Sequence, residues 1–381
     1  MTIIHNLFNK KFDNKNKTLK IKFLFGLIYY KKNMEDYSSE LRLLGISIVH
    51  SNTISLITKY FIEFPRIPLF KKNITSNVVK ELEEYIPNNK DAFFFGSRSG
   101  EFFLLMYHFK GLLKKYNTNF NKVIILTPYK YHLSIFSLFY PNLQIIKLPI
   151  KYAQINRNIT SNIFNLNNGK RVIIPLLFSH YLQVEDKIRK KENIHFYQYL
   201  KTNHNLTSDD LTIPKVNSEI MSQVDSKIKR MNLNEDNFVI ISLGSVSNKP
   251  MSNDFWISLS KKILNNGLDI YFNSLANNEI TQYGKTCYMT HAEMFYFVQK
   301  AKAVIGLRSG FLDTIVSNSN KTIALYTDFN DRPILGEMAS DDVLRGFSLK
   351  KLPQVNPANI WEFDVNKFSE DDLITNIMEV S

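Results

Sequence analysis

The sequence predicts an α/β protein with two doubly wound, parallel-sheet domains in tandem and a small N-terminal extension. From residue 90 onward, short apolar runs of strand length alternate with segments of helical periodicity, which is typical of βαβ units. The same alternation starts again at residue 238, after a polar stretch. Small-residue turns follow several of the apolar runs, at the carboxyl ends of strands, where open α/β sheets bind ligands. The two Rossmann-like domains are therefore expected to face each other across a cleft.

The composition limits the class of protein. At 381 residues, with 44% hydrophobic and 13% aromatic residues, the chain can bury two cores and is not of the disordered type. Its one cysteine, Cys287, excludes an internal disulfide framework and a cysteine-rich zinc site, and it fits a reducing compartment. No run of about 18 uncharged apolar residues predicts a membrane span, and the N-terminus lacks signal-peptide features. A cytoplasmic location is expected.

The net charge of +13 favours an anionic partner, which can be nucleic acid, acidic lipid or a charged polymer. Compositional drift in a chain rich in Lys, Asn, Ile and Phe is the alternative explanation. Nucleic acid is the least favoured partner, because the basic residues are dispersed and no helix-turn-helix, zinc-finger or RNA-recognition signature is present. We therefore predict no nucleic-acid partner.

The predicted N-terminal extension, residues 1–88, combines lysines with aromatic residues. Residues 20–27 resemble residues 40–46, and each segment is typical of a short strand or hairpin arm interrupted by a glycine. The extension is expected either to pack on the first domain as a small hairpin or to lie on an anionic bilayer surface.

The two domains are predicted at 89–205 and 237–345, with a linker at 206–236 and a C-terminal tail at 346–381. Each is delimited by its strands and helices. Strands are predicted at 91–95, 122–126, 143–148, 171–174, 238–243, 268–272, 303–306 and 322–326. Helices are predicted at 101–116, 131–139, 219–230, 254–264, 290–301, from 311 and at 369–378. Gly267 is expected to end one helix, and Thr290 with Glu293 forms a capping box at the start of another.

The stretch AVIGLRSGFLDTI at residues 303–315 is a strand, a small-residue turn and a helix start. Such a turn exposes backbone N–H groups at the positive end of a helix, which suits an anion. Arg308 adds a fork of donors that fits phosphate, and Asp313 either pairs with Arg308 or contacts donor hydroxyls.

The second half of the chain resembles the donor-binding domain of GT-B glycosyltransferases, and in particular the heptosyltransferase group of lipopolysaccharide assembly. Three motifs carry the resemblance: LGSVSNK at 243–249 followed by Trp256, the THAE helix start at 290–293, and VIGLRSGFLD at 304–313. In that group the last motif reads G-x-D-S/T-G-x-x-H. This chain has Arg308 in place of the acidic residue and Asp313 in place of the histidine.

In the first half, GSRSGE at 96–101 resembles the loop of that group that ends in Gly-Asp and supplies the catalytic base, and here it is one residue longer. The resemblance implies Glu101 as the base. In the same loop, Arg98 and Ser99 are predicted to bind the acceptor, and Arg98 either positions an anionic acceptor or is simply solvated. The implied donor-binding residues are Gly244, Ser245, Ser247, Lys249, Glu293, Arg308, Ser309, Gly310, Asp313 and Glu337. His180 and His291 are further candidates of lower weight.

The resemblance implies a nucleotide-sugar donor, a surface-glycan or lipid-linked acceptor and inversion at the anomeric carbon. The diphosphate leaving group needs fixed positive groups or a metal. No Asp-x-Asp pair stands in a good metal position, and the Asp209–Asp210 and Asp341–Asp342 pairs fit a solvated surface. A metal-independent site without a cofactor is therefore predicted. Glu101 at a helix start can act as general base, since the helix dipole favours a carboxylate there.

Alternatives remain at this stage. The same fold can serve a non-catalytic protein that binds a polysaccharide or a nucleotide, because fold does not fix function. It can also serve an enzyme that transfers another phosphate-activated group. Glu101 can be a helix-terminal residue with only a dipole role, Lys249 a solvated lysine, and Glu293 a capping residue alone.

Overall fold

The computed structural model describes five N-terminal strands and residues 79–155, 161–245, 248–274, 278–329 and 337–378. The chain forms two compact units, Met1–Ile74 and Thr75–Ser381. None of the described helices has both the length and the apolar character that crossing a bilayer requires.

The N-terminal unit contains a five-stranded antiparallel meander. Its strands are β1 (Phe8–Asp13), β2 (Thr18–Phe23), β3 (Ile28–Asn33), β4 (Ser39–Leu43) and β5 (Ile46–His50), in that order across the sheet. The predicted hairpin arms correspond to β2 and β4. Gly26 and Gly45, which the sequence suggested as interruptions within strands, lie outside the described residues, between β2 and β3 and between β4 and β5.

The first α/β domain has a five-stranded sheet in the order β8-β7-β6-β10-β9. Its strands are β6 (Asp91–Phe94), β7 (Val123–Thr127), β8 (Ile145–Lys147), β9 (Ile163–Asn165) and β10 (Arg171–Ile173). Strands β8, β7, β6 and β10 are parallel, and β9 pairs antiparallel with β10 at the edge.

The second α/β domain has a six-stranded parallel sheet in the order β13-β12-β11-β14-β15-β16. Its strands are β11 (Phe238–Ser242), β12 (Asp269–Phe272), β13 (Lys285–Thr286), β14 (Ala303–Leu307), β15 (Thr322–Tyr326) and β16 (Ile360–Asp364). The predicted fold class, α/β with two parallel-sheet domains, is confirmed. Strand β16 was not predicted. It lies in the segment 346–381, which was predicted to be a C-terminal tail, and it completes this sheet.

The described helices fall between these strands, except for the last one, which follows β16. They are α1 (Ser99–Tyr107), α2 (Phe109–Lys115), α3 (Lys130–Ser137), α4 (Phe178–Arg189), α5 (Phe196–His204), α6 (Ser218–Met231), α7 (Asn253–Asn265), α8 (His291–Phe297), α9 (Gly310–Ile315), α10 (Ser340–Phe347) and α11 (Glu370–Met378).

Two of the predicted helices have different limits. The one predicted at 101–116 is divided at His108, whose backbone leaves the helical region with φ −110° and ψ 18°. The His108 ring lies 2.6 Å from the Tyr197 hydroxyl, so a contact with α5 accompanies the break. The one predicted at 290–301 ends at Phe297 and continues as a 3-10 turn at Val298–Lys300.

The two α/β domains share a continuous apolar core. Phe103 of α1 lies against Phe295 of α8, with ring centroids 6.0 Å apart. A second core under the other face of the six-stranded sheet includes Trp256 of α7 and Leu373 of α11. Because both faces of this sheet are covered, its inner strands β11, β14 and β15 are continuous apolar runs, which is why the sequence predicted them well.

Candidate functional site

Two glycine turns bring the α/β domains into backbone contact. The chain leaves β6 through residues 95–98 into α1, and it leaves β14 through Arg308 and Ser309 into α9. A Cβ atom built on Gly100 would lie 2.8 Å from the Gly310 Cα and 2.2 Å from Asp313 Oδ2. Real Cβ atoms do not approach this closely, so glycine is required for the two helix starts to meet.

The turn that the sequence suggested as an open anion site is occupied by its own ion pair. Arg308 is only 7% exposed, and its Nη2 lies 2.8 Å from Asp313 Oδ1. Its Nη1 donates to Asp313 Oδ2 at 3.0 Å, and its Nε donates to the Phe347 carbonyl at 2.8 Å. Of the two predicted roles for Asp313, the structure places it in the pairing with Arg308.

Burial raises the pKa of Asp313 to about 6; the Arg308 guanidinium acts in the opposite direction, and the nearby charge of Glu101 raises it further. The electrostatic effect of Glu101 reaches Arg308 and the Tyr131 hydroxyl as well. Glu101 directly follows Gly100, whose added Cβ would meet Asp313 Oδ2, so Glu101 of the first domain lies close to the ion pair of the second.

Several polar atoms around this contact are buried without a hydrogen-bond partner among the described residues. They include Glu101 Oε2, Ser97 Oγ, Ser309 Oγ and Asn248 Oδ1. Ser97 and Asn248 are 6% and 5% exposed. Buried polar atoms are nearly always hydrogen-bonded in folded proteins. A local concentration of unpartnered atoms from both domains is therefore a feature that a bound ligand would explain.

A cavity of about 320 Å³ lies at the carboxyl edge of the six-stranded sheet. It is lined by the ends of β11 and β12 and by the residues that follow them, with Phe311 of α9 on one side; its lining residues are Ile241, Ser242, Leu243, Gly244, Phe272, Asn273, Ser274 and Phe311. Ligands of parallel α/β sheets bind at this edge. Because Phe311 follows Gly310 directly, the cavity adjoins the contact between the two turns.

The loop after β11 carries further predicted donor residues. Gly244 lines the cavity, and Ser245 follows it. Asn248 donates from Nδ2 to the Arg308 carbonyl at 2.7 Å, and the Lys249 backbone N–H donates to Asp328 at 2.8 Å, so this segment is fastened to the ends of β14 and β15. The Lys249 side chain is exposed, and Ser247 lies outside the described residues.

The remaining two glutamates predicted to bind the donor are not at the turn contact. Glu293 forms the predicted capping box with Thr290, and its Oε1 accepts a hydrogen bond from Lys227 at 2.6 Å. Burial acts to raise the Glu293 pKa, but the hydrogen bonds from Lys227 and Thr290 outweigh it and lower that pKa. Glu337 is exposed in the loop before α10, and its carbonyl accepts a hydrogen bond from Arg189.

Of the two residues predicted to bind the acceptor, Arg98 directly precedes α1 and Ser99 is the first residue of α1. The Ser99 hydroxyl lies 2.8 Å from where a Cβ of Gly310 would be. A pair of stacked rings, Tyr129 and Tyr131, was not predicted as part of the site. Their centroids lie 5.1 Å apart. The Tyr131 ring also contacts the His291 ring of α8, with centroids 5.7 Å apart, and this is a further contact between the two domains. Their position directly after β7, at a strand's carboxyl end, is the signal that could have found them.

His132 packs beside the end of the GSRSGE loop. Its ring stacks on Phe102 of α1 with centroids 3.8 Å apart, and its Nδ1 lies 2.6 Å from the Thr127 hydroxyl. Burial lowers the His132 pKa well below its usual value, so the ring is neutral at pH 7. The two histidines that the sequence offered as candidates are His291, which contacts Tyr131, and His180. His180 lies in α4, where its Nδ1 accepts a hydrogen bond from the Leu177 N–H.

Within the described ranges, no group of three or more His, Cys, Asp or Glu side chains is arranged to hold a metal ion.

Comparison with known proteins returns glycosyltransferase structures. A glycosyl transferase family 9 structure from Veillonella parvula is 13% identical, with a TM-score of 0.47, and the match covers 76% of this chain and 96% of that one. Heptosyltransferase II of Escherichia coli is 10% identical (TM-score 0.42, 76% and 97% covered). The E. coli heptosyltransferase WaaC with ADP-2-deoxy-2-fluoro heptose is also 10% identical (TM-score 0.41, 75% and 98% covered).

No protein-family model and no curated protein matches the chain. These three structures are glycosyltransferases, the class that the sequence motifs resemble. Because their TM-scores are below 0.5, the function proposed below rests on the residues of this chain.

Proposed function

We propose that this protein is a glycosyltransferase that moves a sugar from a nucleotide-sugar donor to a glycan acceptor. One observation carries the proposal. Glu101, whose Oε2 is buried without a partner, stands at the start of α1, and the Gly100–Gly310 contact places that helix start beside a cavity at the carboxyl edge of the second sheet. The helix start that carries Glu101 thus contacts Gly310, the residue before Phe311 of the cavity wall, and group transfer between two substrates needs a base close to the donor site.

The cavity suits part of a nucleotide sugar. Its lining mixes the apolar surfaces of Ile241, Phe272 and Phe311 with the polar groups of Ser242 and Ser274. Apolar walls with a few placed polar groups are typical of sites for small organic ligands. None of the described side chains that line it is charged, so the diphosphate is expected at the rim, near Lys249 and the backbone N–H groups of Gly244 and Ser245.

In the proposed reaction, the acceptor hydroxyl oxygen attacks the anomeric carbon of the donor while Glu101 accepts its proton. The bond between the anomeric carbon and the diphosphate oxygen breaks, and the leaving diphosphate keeps the electron pair. Lys249 and the nearby N–H groups stabilise its growing negative charge. A single displacement of this kind inverts the anomeric centre. We propose that it proceeds without a metal ion.

Arg308 and Asp313 are assigned a positioning role in this proposal. Their charges neutralise each other, and Arg308 also binds the Phe347 carbonyl, so together they hold the turn at the start of α9. Their predicted contacts with the donor stay predictions, as do those of Ser309 and Gly310. On the acceptor side, Arg98, Ser99 and the Tyr129–Tyr131 pair are proposed to line the glycan path.

The proposed acceptor is a bacterial surface glycan of the capsule or lipooligosaccharide type, or its lipid-linked precursor. Its assembly would place the enzyme in the cytoplasm, at the inner face of the membrane. The net charge of +13 supports peripheral contact with anionic lipid there.

Donor binding is tested first, with a thermal-shift panel of nucleoside diphosphates, nucleoside monophosphates and nucleotide sugars, without metal and then with magnesium. A ligand that binds the folded state raises the melting temperature by mass action. Stabilisation by one nucleotide family without metal is expected and would name the donor base. No shift at millimolar ligand would contradict the donor assignment.

The base is tested with Glu101→Gln, which keeps the shape and removes the proton acceptor. Transfer with the identified donor should fall roughly 10²- to 10⁴-fold, the usual contribution of a general base, while the donor shift is unchanged. Glu84→Gln makes the same charge change at an exposed position and should retain full activity. Full activity of Glu101→Gln would remove Glu101 from the mechanism. Donor binding with no turnover by the wild-type protein would favour a non-catalytic binding protein.

A further inference from the structure

A second cavity lies at the amino ends of the strands in the first domain's sheet, the amino edge of that sheet. It has a volume of about 360 Å³ and is bordered by residues that precede β6, β7 and β10, namely Lys90, Lys122 and Lys170. These are the amino ends of three neighbouring parallel strands, whereas the GSRSGE loop follows the carboxyl end of β6. The cavity is therefore separate from the candidate catalytic site.

This amino-edge cavity carries positive charge that no described carboxylate neutralises. Arg171 also lines it, but its Nη2 lies 2.5 Å from Asp91 Oδ2, so these two charges cancel. Lys90, Lys122 and Lys170 have no carboxylate within ion-pair distance in the part of the chain that the structure describes. Three lysines thus face one concave surface without a counter-ion, and such clefts concentrate anions.

Lys170 is the most informative of the three. It is only 7% exposed, and its Nζ donates to the Ile86 carbonyl at 2.8 Å. Lysine is almost never buried to this extent unless it is paired with an opposite charge. Beside it, the Thr118 hydroxyl also lines the cavity and has its oxygen buried without a hydrogen-bond partner. An anion with several acceptor oxygens would supply both the missing charge and the missing partner.

We propose that the amino-edge cavity binds a phosphate ester group. Lys90, Lys122 and Lys170 would compensate its charge, and the Thr118 hydroxyl would donate to one of its oxygens. The group can belong to a lipid headgroup at a bilayer surface or to a soluble phosphorylated molecule. Because no residue of the cavity takes part in the proposed glycosyl transfer, this inference stands or fails independently of it.

The experiment compares the wild-type protein with Lys90→Gln/Lys122→Gln, which removes two charges at positions that are not in the core. The matched control is Lys110→Gln/Lys229→Gln, which removes two charges at exposed positions on α2 and α6. Binding of inorganic phosphate and glycerol 3-phosphate is measured by calorimetry at constant ionic strength. Sedimentation with vesicles of phosphatidylglycerol, against phosphatidylcholine, provides the lipid arm.

We expect saturable phosphate or glycerol 3-phosphate binding that weakens about tenfold or more in Lys90→Gln/Lys122→Gln and is unchanged in the control. That result identifies a soluble ester. Selective loss of phosphatidylglycerol binding in the same variant, with no binding of the soluble probes, identifies a lipid headgroup. Absence of binding in both arms, or equal binding by the two double variants, would overturn the proposal.

Discussion

Replacing Gly310 with alanine should force apart the two turns that join the α/β domains. The new Cβ would lie 2.7 Å from the Gly100 backbone nitrogen, 2.8 Å from the Ser99 hydroxyl and 3.2 Å from the Gly100 Cα. Backbone atoms cannot rotate away, so the turns must separate by several tenths of an ångström. Overpacking of this kind costs about 1–3 kcal/mol. Alanine also stabilises the protein by roughly 0.4–1 kcal/mol, because it lowers the conformational entropy of the unfolded chain. We therefore expect the free energy of unfolding to fall by about 1–2 kcal/mol.

Urea denaturation at 25 °C measures this loss as a lower midpoint at an unchanged slope. Gly244→Ala is the control, since a Cβ at that position meets no atom of the described residues within 4 Å. Gly100→Ala should be destabilising for the same reason as Gly310→Ala. The double variant should lose less than the sum, because the first substitution already separates the turns. Wild-type stability of Gly310→Ala, or strict additivity with Gly100→Ala, would refute the close backbone contact.

Two further predictions concern pH. Burial lowers the pKa of every histidine in the described part of the Thr75–Ser381 unit: His108, His132, His180, His195, His204 and His291. Below about pH 6.5 the unfolded chain therefore binds more protons than the folded chain. For each unit by which the pH falls below this value, each histidine lowers the free energy of unfolding by up to about 1.4 kcal/mol. Urea titrations at pH 7, 6 and 5 should show this fall, and a flat profile would contradict it. Glu293, whose pKa is lowered by Lys227 and Thr290 against the effect of burial, stabilises the fold above pH 4.5 and loses that effect as the pH falls through its folded pKa. Glu293→Gln should therefore cost roughly 1 kcal/mol or more at pH 7 and progressively less below pH 4.5, whereas the exposed Glu219→Gln should cost little at any pH.

The sequence predicted most of the fold because its signals are local. Strands β11, β14 and β15 are covered on both faces and are therefore continuous apolar runs in the sequence. Strand β16 was missed for the opposite reason. It lies at the sheet edge, with Trp361, Glu362 and Phe363 only partly buried, so it has no continuous apolar run. Its place in the sheet depends on pairing with β15, which is not evident from residues 360–364 alone.

The turn at Arg308 shows why the site was harder to predict. Its local pattern of strand, small residues and helix start is that of an anion site, and the sequence analysis favoured phosphate as the partner of Arg308. The structure places Asp313 against Arg308 and Gly100 against Gly310. The first contact spans less than two helical turns and was recognised as an alternative. The second joins residues about two hundred positions apart, and only the docking of two domains produces it.

The ion pair has a consequence for Glu101. Two carboxylates, Glu101 and Asp313, lie near one buried guanidinium, and a guanidinium neutralises one charge. Asp313 holds Arg308 at two close contacts, 2.8 and 3.0 Å, while Glu101 keeps an oxygen without a partner. If Asp313 were absent, Arg308 would be available to bind Glu101 and to occupy the lone pairs that a base needs. In the proposed mechanism, Asp313 therefore keeps Arg308 from pairing with Glu101, and the acceptor hydroxyl is the donor that would satisfy Glu101 Oε2.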